Sequence, residues 1–407
     1  MKLLEITDHK EFIIEIAKRI IPVRSISPAS GGKGESDRAD LIVDILKELG
    51  YENPVRFDVE DSSGFKRSSV IQKVGNYSKT LWLVSHIDTV PDGDPNLWSR
   101  PPFETTVEGN RIYGRGTSDD GQAIFLSLLL LKELNPSKLK MNIGLAFVAD
   151  EEVGSRYGIQ YLLEKNLFKK DDLIIVPDAG SMDGMELEIA EKSILWVKFT
   201  VKGKQYHASM PNNAISAARD GMEFMLELDK KLHSKYTDKD DTFNYPYSTF
   251  EPTKHEKNVD NVNTIPGKEV FYLDCRILPH YDIDNVIDEI SMQISEFERT
   301  HKTKISMEFI QKEQAPIPTS KDSEVVVELI KALSQRGGEP RTVGIGGGTC
   351  AAFFRRLGYD AVVWSTTVPD VAHQVDEYVI IDQILQDNET IQKIIYNSEA
   401  TTSQESA

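Results

Sequence analysis

The 407-residue chain predicts an α/β protein whose mixed sheet comes from two separated stretches of sequence, with a smaller α+β domain inserted between them. Three observations carry this. Up to about Glu191, apolar strand-like runs alternate with helical stretches, the pattern of a sheet with helices on both faces. From Lys192 the order becomes strand, helix, strand, helix, strand, which fits a unit of the split βαβ type. After Lys312 the α/β rhythm returns. The simplest organisation assigns 1–191 and 312–407 to one discontinuous domain and 192–311 to the insert.

In the first stretch, helices are expected at Asp37 to Leu49, Gln122 to Leu134 and Gly158 to Glu164, and buried strands at Leu81 to Ser85, Asn142 to Ala149 and Leu173 to Val176. The insert opens with the strand SILWVKFTVKG, followed by a long helix from Asn213 to Leu232. Next comes EVFYLDCRI, where Phe271, Leu273, Cys275 and Ile277 face one way and Val270, Tyr272, Asp274 and Arg276 the other. A second helix carries Ile283, Val286, Ile287, Ile290, Ile294 and Phe297 at helical spacing, and the strand ISMEFI closes the insert. The last stretch predicts a helix at Ser323 to Gln335, a strand running into a Gly-rich turn at Val343 to Gly348, a helix at Ala351 to Leu357 and a strand at Ala361 to Ser365. From Ser398 onward apolar periodicity is lost, as in a frayed tail.

Composition narrows the partners. With 47 Lys and Arg against 65 Asp and Glu, the net charge of −18 disfavours nucleic acid or an anionic membrane as the main partner. The longest apolar run, Ile124 to Leu131, contains Ser127 and is far short of the roughly 20 residues that span a bilayer. The N-terminus has no signal-peptide pattern, so a cytoplasmic location is expected. The 2 cysteines, Cys275 and Cys350, lack CxxC spacing and read as reduced thiols.

Chemistry-bearing residues recur where apolar strands end. LWLVSHIDTV puts His86 and Asp88 two residues apart just past a strand, the edge where ligands bind in open α/β sheets. There His86 suits a metal and Asp88 suits the fixing of its ring, although a surface His beside an acid is the commoner occurrence. GRGTSDDG opens an apolar helix with Asp119 and Asp120 near its start, which capping alone could explain. NIGLAFVADEEVG ends a strand in Asp150, Glu151 and Glu152; adjacent carboxylates there repel unless cations compensate, and metal is the economical compensation. Asp178 follows the strand LIIVP, and His373 sits in the loop AHQVDEYV. Each is ordinary alone, as a turn or a surface residue. Together they place His86, Asp119, Glu151, Glu152, Asp178 and His373 at strand ends of one domain, a ligand set suited to a pair of Zn, Co or Mn ions. The glycines of GIGGG and GRGTSDDG do not match a phosphate loop, which weakens a nucleotide-dependent alternative.

The order SHIDTVP, GRGTSDDG, DEEVG, YHASMPNNA, NTIPG, LDCR, GIGGGT and AHQVDEYV resembles the dinuclear metallo-aminoacylase and carboxypeptidase family over nearly the whole chain. That family includes acetylornithine deacetylase, succinyl-diaminopimelate desuccinylase and glutamate carboxypeptidase. The resemblance implies hydrolysis of an amide bond in an N-acyl amino acid or small peptide. It implies two divalent ions, Zn first and then Co or Mn, with Asp119 bridging, His86 and Asp178 completing one site, and Glu152 and His373 the other. It further implies Glu151 as general base and Asp88 as support for His86. The insert becomes a lid and dimerisation domain, carrying His207 for the oxyanion and Asn263 and Arg276 for substrate. One departure is visible: many members carry an Asp where this chain has Cys350. A catalytically inactive, metal-binding regulatory protein on the same fold is the alternative, and it would normally have lost Glu151 or a ligand.

Overall fold

The structure is a computed structural model and describes residues 2–396; the tail from Ser398 lies outside the described residues. The chain forms two compact units. One comprises residues up to Ile189, Thr319–Thr342 and residues from Thr349, and the other comprises Ala190–Pro318 and Val343–Gly348. The Gly-rich stretch therefore groups with the insert.

Among the described residues the large sheet has eight strands in the order Val55–Glu60, Lys66–Val74, Asn142–Val148, Thr80–His86, Leu173–Val176, Ala361–Val363, Glu186–Glu191 and Arg341–Ile345. It is mixed, as expected. Thr80–His86 is parallel to both its neighbours, whereas Val55–Glu60 and Lys66–Val74 pair antiparallel with each other. Thr80–His86 and Asn142–Val148 are buried at every position, the condition of strands covered on both faces. Parallel register sets His86 beside Val148 and Leu83 beside Ile175, so the carboxyl ends of three strands open on the same edge.

Under that edge, Trp82, Val84, Val148, Val176, Phe354 and Val363 share one apolar cluster. Trp82 donates Nε1 to Asp172 at 2.9 Å and meets Phe168 edge-on with centroids 4.8 Å apart. It also requires glycine at position 144, where a Cβ would come within 2.3 Å of the indole. Helix Gln122–Glu133 is buried from Gln122 through Leu131, which explains why its sequence is apolar on all sides. Among the described residues no helix is long and apolar enough to cross a membrane.

The inserted unit has an antiparallel four-stranded sheet in the order Thr249–His255, Lys268–Ile277, Ser193–Lys202 and Lys304–Glu313. Helices Ala217–Lys235 and Ile283–Thr300 contribute Phe224, Leu228, Ile290 and Phe297 to a core shared with Val197, Phe199, Phe271, Leu273 and Cys275. Thr249–His255 is a strand that the sequence pattern hides. It is an edge strand, mostly exposed, and its register shifts between Pro252 and Lys254; sheet edges and irregularities are the places where strands accommodate proline.

Candidate metal centre

His86 is the last residue of its strand, and its ring is buried. Nδ1 lies 3.1 Å from the backbone oxygen of Asp88, a contact that fixes the tautomer and leaves Nε2 free for a ligand role. Nε2 is 2.6 Å from Asp119 Oδ1 and 3.6 Å from Asp178 Oδ1. The Asp88 carboxylate is 3.5 Å from the ring, and its two oxygens accept the N–H groups of Glu151 and Glu152 at 3.0 Å each. The ring is thus met by the Asp88 carbonyl, and the Asp88 side chain principally anchors the turn that carries the two glutamates. The residue's short excursion past the strand end puts its carbonyl nearer the imidazole than its carboxylate.

Asp119 closes a loop whose glycines are needed: Gly116 has φ +75°, and a Cβ there would sit 2.5 Å from Thr89 Cγ2. Its Oδ2 faces the other way, 2.9 Å from His373 Nε2, which is also 3.1 Å from Glu152 Oε2. Two groups result, His86 with Asp119 and Asp178, and Asp119 with Glu152 and His373. Within each, the potential ligand atoms lie within 4.8 Å of one another. Asp119 belongs to both and offers one oxygen to each.

The acidic run at the strand end divides into two roles. Asp150, at φ +71°, is paired at 2.7 Å with the buried Arg67, which also pairs with Glu35. Its charge is met by the protein's own guanidinium, so a protein cation, rather than the metal expected from the sequence, compensates one of the three acids. Burial, and then the charge of Asp178, push the Glu151 carboxyl well above the usual carboxylate range. Burial likewise raises Glu152 and Asp120, and Asp120 Oδ1 has no hydrogen-bond partner in the structure. Burial works against ionisation of Asp119, but His373 and His86 hold its carboxyl below the usual range. Asp119 and Glu152 raise the half-exposed His373 to about 10, and the carboxylates of Asp119, Asp178 and Asp88 lift His86 against its burial. Oxygen-rich, acidic and gathered around two imidazoles, the donor set fits a pair of divalent cations. Cys350 is buried with its Sγ 3.9 Å from Ser155 Oγ, and burial raises its thiol.

In the inserted unit, His207 belongs to a two-stranded ribbon in which it pairs with Thr264, and Asn263 lies in the turn just before that partner. The Ala208 N–H donates to the Asn263 carbonyl at 2.8 Å, and both side chains are exposed. His207 Nδ1 is 2.7 Å from Ser209 Oγ. Arg276 extends from Lys268–Ile277, gripping Asp274 through Nε and Nη2 at 2.7 and 3.1 Å and donating Nη1 to the Gly346 carbonyl at 2.8 Å.

The sequence pattern left three buried groups behind this centre unassigned: Glu35, Arg67 and Glu377. Glu377 stands four residues after His373, a spacing that was the only available signal.

The family model for peptidase family M20/M25/M40 matches residues 82–397, a span that contains every one of the candidate ligands. The chain belongs to the M20/M25/M40 peptidase family. It is 39% identical to an uncharacterized metallohydrolase of Methanocaldococcus jannaschii, over 95% of this chain and all of that one. It is 26% identical to the succinyl-diaminopimelate desuccinylase of Rickettsia bellii, over 90% of this chain and 92% of the relative. Its fold is similar to that of the aminopeptidase PepT from Bacillus cereus, with a TM-score of 0.75 at 16% identity, covering 95% and 98% of the two chains. As an M20-family chain it is a metallohydrolase of the peptidase and deacylase kind, and it carries two groups of residues that could each hold a metal ion.

Proposed function

We propose that the chain hydrolyses an amide bond of an N-acyl amino acid or small peptide, of the deacetylase, desuccinylase or carboxypeptidase type, with Glu151 as general base. The observation that carries this is Asp119, whose two oxygens face His86 and His373 on opposite sides while Glu151 lies against the same carboxylate cluster. His86, Asp119 and Asp178 would hold one cation, and Asp119, Glu152 and His373 the other. Such a pair, when bound, would supply Lewis acidity toward a scissile carbonyl and would lower the pKa of a water; Zn fits first, with Co or Mn as substitutes.

The chain's own residues do the rest. Glu151, made more basic by burial, takes the proton of the attacking water and passes it to the departing amine nitrogen. Asp88 keeps Glu151 in place by accepting its backbone N–H. His207 donates to the oxyanion, Asn263 hydrogen-bonds substrate, and Arg276, on exchanging Asp274 for substrate, grips a substrate carboxylate through its fork. The inserted unit serves as lid and as the surface of a homodimer, supported by the exposed Met222, Leu226 and Met292 on its two helices. The cytoplasm suits such a substrate and the acidic composition.

The test is a panel of N-acetyl and N-succinyl amino acids and dipeptides, assayed after chelation and after return of Zn, Co or Mn. Hydrolysis of one class that disappears with chelator and returns with metal is expected. No hydrolysis of any class by protein carrying a full complement of metal would refute the proposal.

A further inference from the structure

Glu377 is buried and plays no part in the hydrolysis described above. Its Oε1 accepts the backbone N–H groups of Ser118 and Asp119 at 2.8 and 3.1 Å, and its Oε2 accepts that of Gly116 at 3.0 Å. Arg115 completes the arrangement. Its Nη1 meets Glu377 Oε2 at 2.7 Å, and its Nη2 donates to the backbone carbonyl of His373 at 3.4 Å. The Gly114 N–H donates to the Glu377 carbonyl at 3.0 Å. One carboxylate therefore holds the peptide planes of the loop that ends in Asp119, and its guanidinium partner holds the peptide of His373.

We propose that Glu377, together with Arg115, is a positioning residue that sets Asp119 against His373 and so fixes the affinity of both cation sites at once. Charge-assisted bonds from backbone N–H groups to a buried carboxylate are short and directional, and three of them leave the loop little freedom to turn the Asp119 side chain. Because Asp119 serves both ligand groups, loosening its loop weakens both, whereas loss of His373 weakens one. The inference rests on the two-cation proposal above and adds a residue to which that proposal gives no task.

The probe is Co2+ titrated into metal-free protein, followed by calorimetry and by visible absorption. Glu377→Gln is expected to lower both binding steps by about 10- to 100-fold, the range typical when a partner behind a metal ligand is lost. His373→Ala should lower mainly one step. Glu377→Gln also strands the charge of Arg115, so the double variant Arg115→Gln/Glu377→Gln separates fold from position. It should melt near the wild-type temperature and still bind Co2+ weakly, with an altered absorption band. Both variants binding Co2+ with wild-type affinity in both steps would overturn the inference, and so would a double variant that regains affinity along with its melting temperature. If Glu377→Gln does not fold, the double variant decides alone. A wild-type chain that binds no Co2+, or a His373→Ala chain that binds it unchanged, would instead defeat the two-cation proposal itself.

Discussion

The candidate residues of the two compact units are held in opposite ways. In the first unit several proposed metal-site residues have support behind them: His86 by the Asp88 carbonyl, the Glu151 and Glu152 turn by the Asp88 carboxylate, and the Asp119 loop by Glu377. In the inserted unit His207, on a two-stranded ribbon, and Asn263, in the turn beside it, stand exposed, their side chains met by near neighbours in sequence such as Ser209 and Asn261. Arg276 is intermediate, its fork already occupied by Asp274. The difference separates two demands. Cation chemistry needs donors fixed before anything binds, whereas groups that meet a substrate need room to adapt to it.

If that contrast is correct, changes in the first unit alter chemistry and metal, and changes in the insert alter kinetics alone. The largest effect is expected for Glu151→Gln, about 10²- to 10⁴-fold in kcat with metal content retained, checked by steady-state kinetics alongside elemental analysis. Near wild-type turnover would remove Glu151 from its role. His207→Ala should cost roughly 10²- to 10³-fold in kcat and leave metal content and melting temperature unchanged. If His207 acts across a dimer, mixing it with Glu151→Gln chains should restore activity. Arg276→Gln is expected to raise KM by about 30-fold, corresponding to the ~2 kcal/mol of one hydrogen bond to a charged group, with kcat little changed. A fall in kcat instead would place Arg276 among the groups that act in the transition state.

The smallest effect concerns pH. In the metal-free protein Asp119 and Glu152 push His373 up to about 10, above the ordinary histidine value of 6.5. Its protonated form therefore stabilises the fold fully below about pH 6.5, and that contribution is lost as pH rises through 10. The melting-temperature gap between wild type and His373→Ala should narrow over this range, as scanning calorimetry can show. A gap independent of pH would mean that His373 does not carry this charge.

Much of this was legible in the sequence, and where it was not the reason is physical. Leu173–Val176 has the limits its apolar run predicts, and Thr80–His86 and Gln122–Glu133 differ from expectation by a residue at their ends, because burial on all sides leaves an unbroken apolar signal. His86, Glu152 and Asp178 converge because parallel register brings their strand ends together, and strand ends can be read from composition; Asp119, at the start of a helix, and His373, in a loop, join them from outside those strands. Lys66–Val74 was missed since its Arg67, Ser68 and Ser69 are buried polar residues, satisfied by partners far away in sequence such as Glu35. Glu377 was missed on the same ground. Its partners are backbone N–H groups some 260 residues earlier, and these leave no trace in residue type.

If Asp119 joins two cation sites, its loss must show in the amount of metal the chain binds. Wild-type protein and Asp119→Asn, both stripped with chelator, reloaded with Zn2+ and desalted, should be compared by elemental analysis. About two ions per wild-type chain and fewer than about one in the variant are expected. Equal metal content in two folded proteins would contradict this.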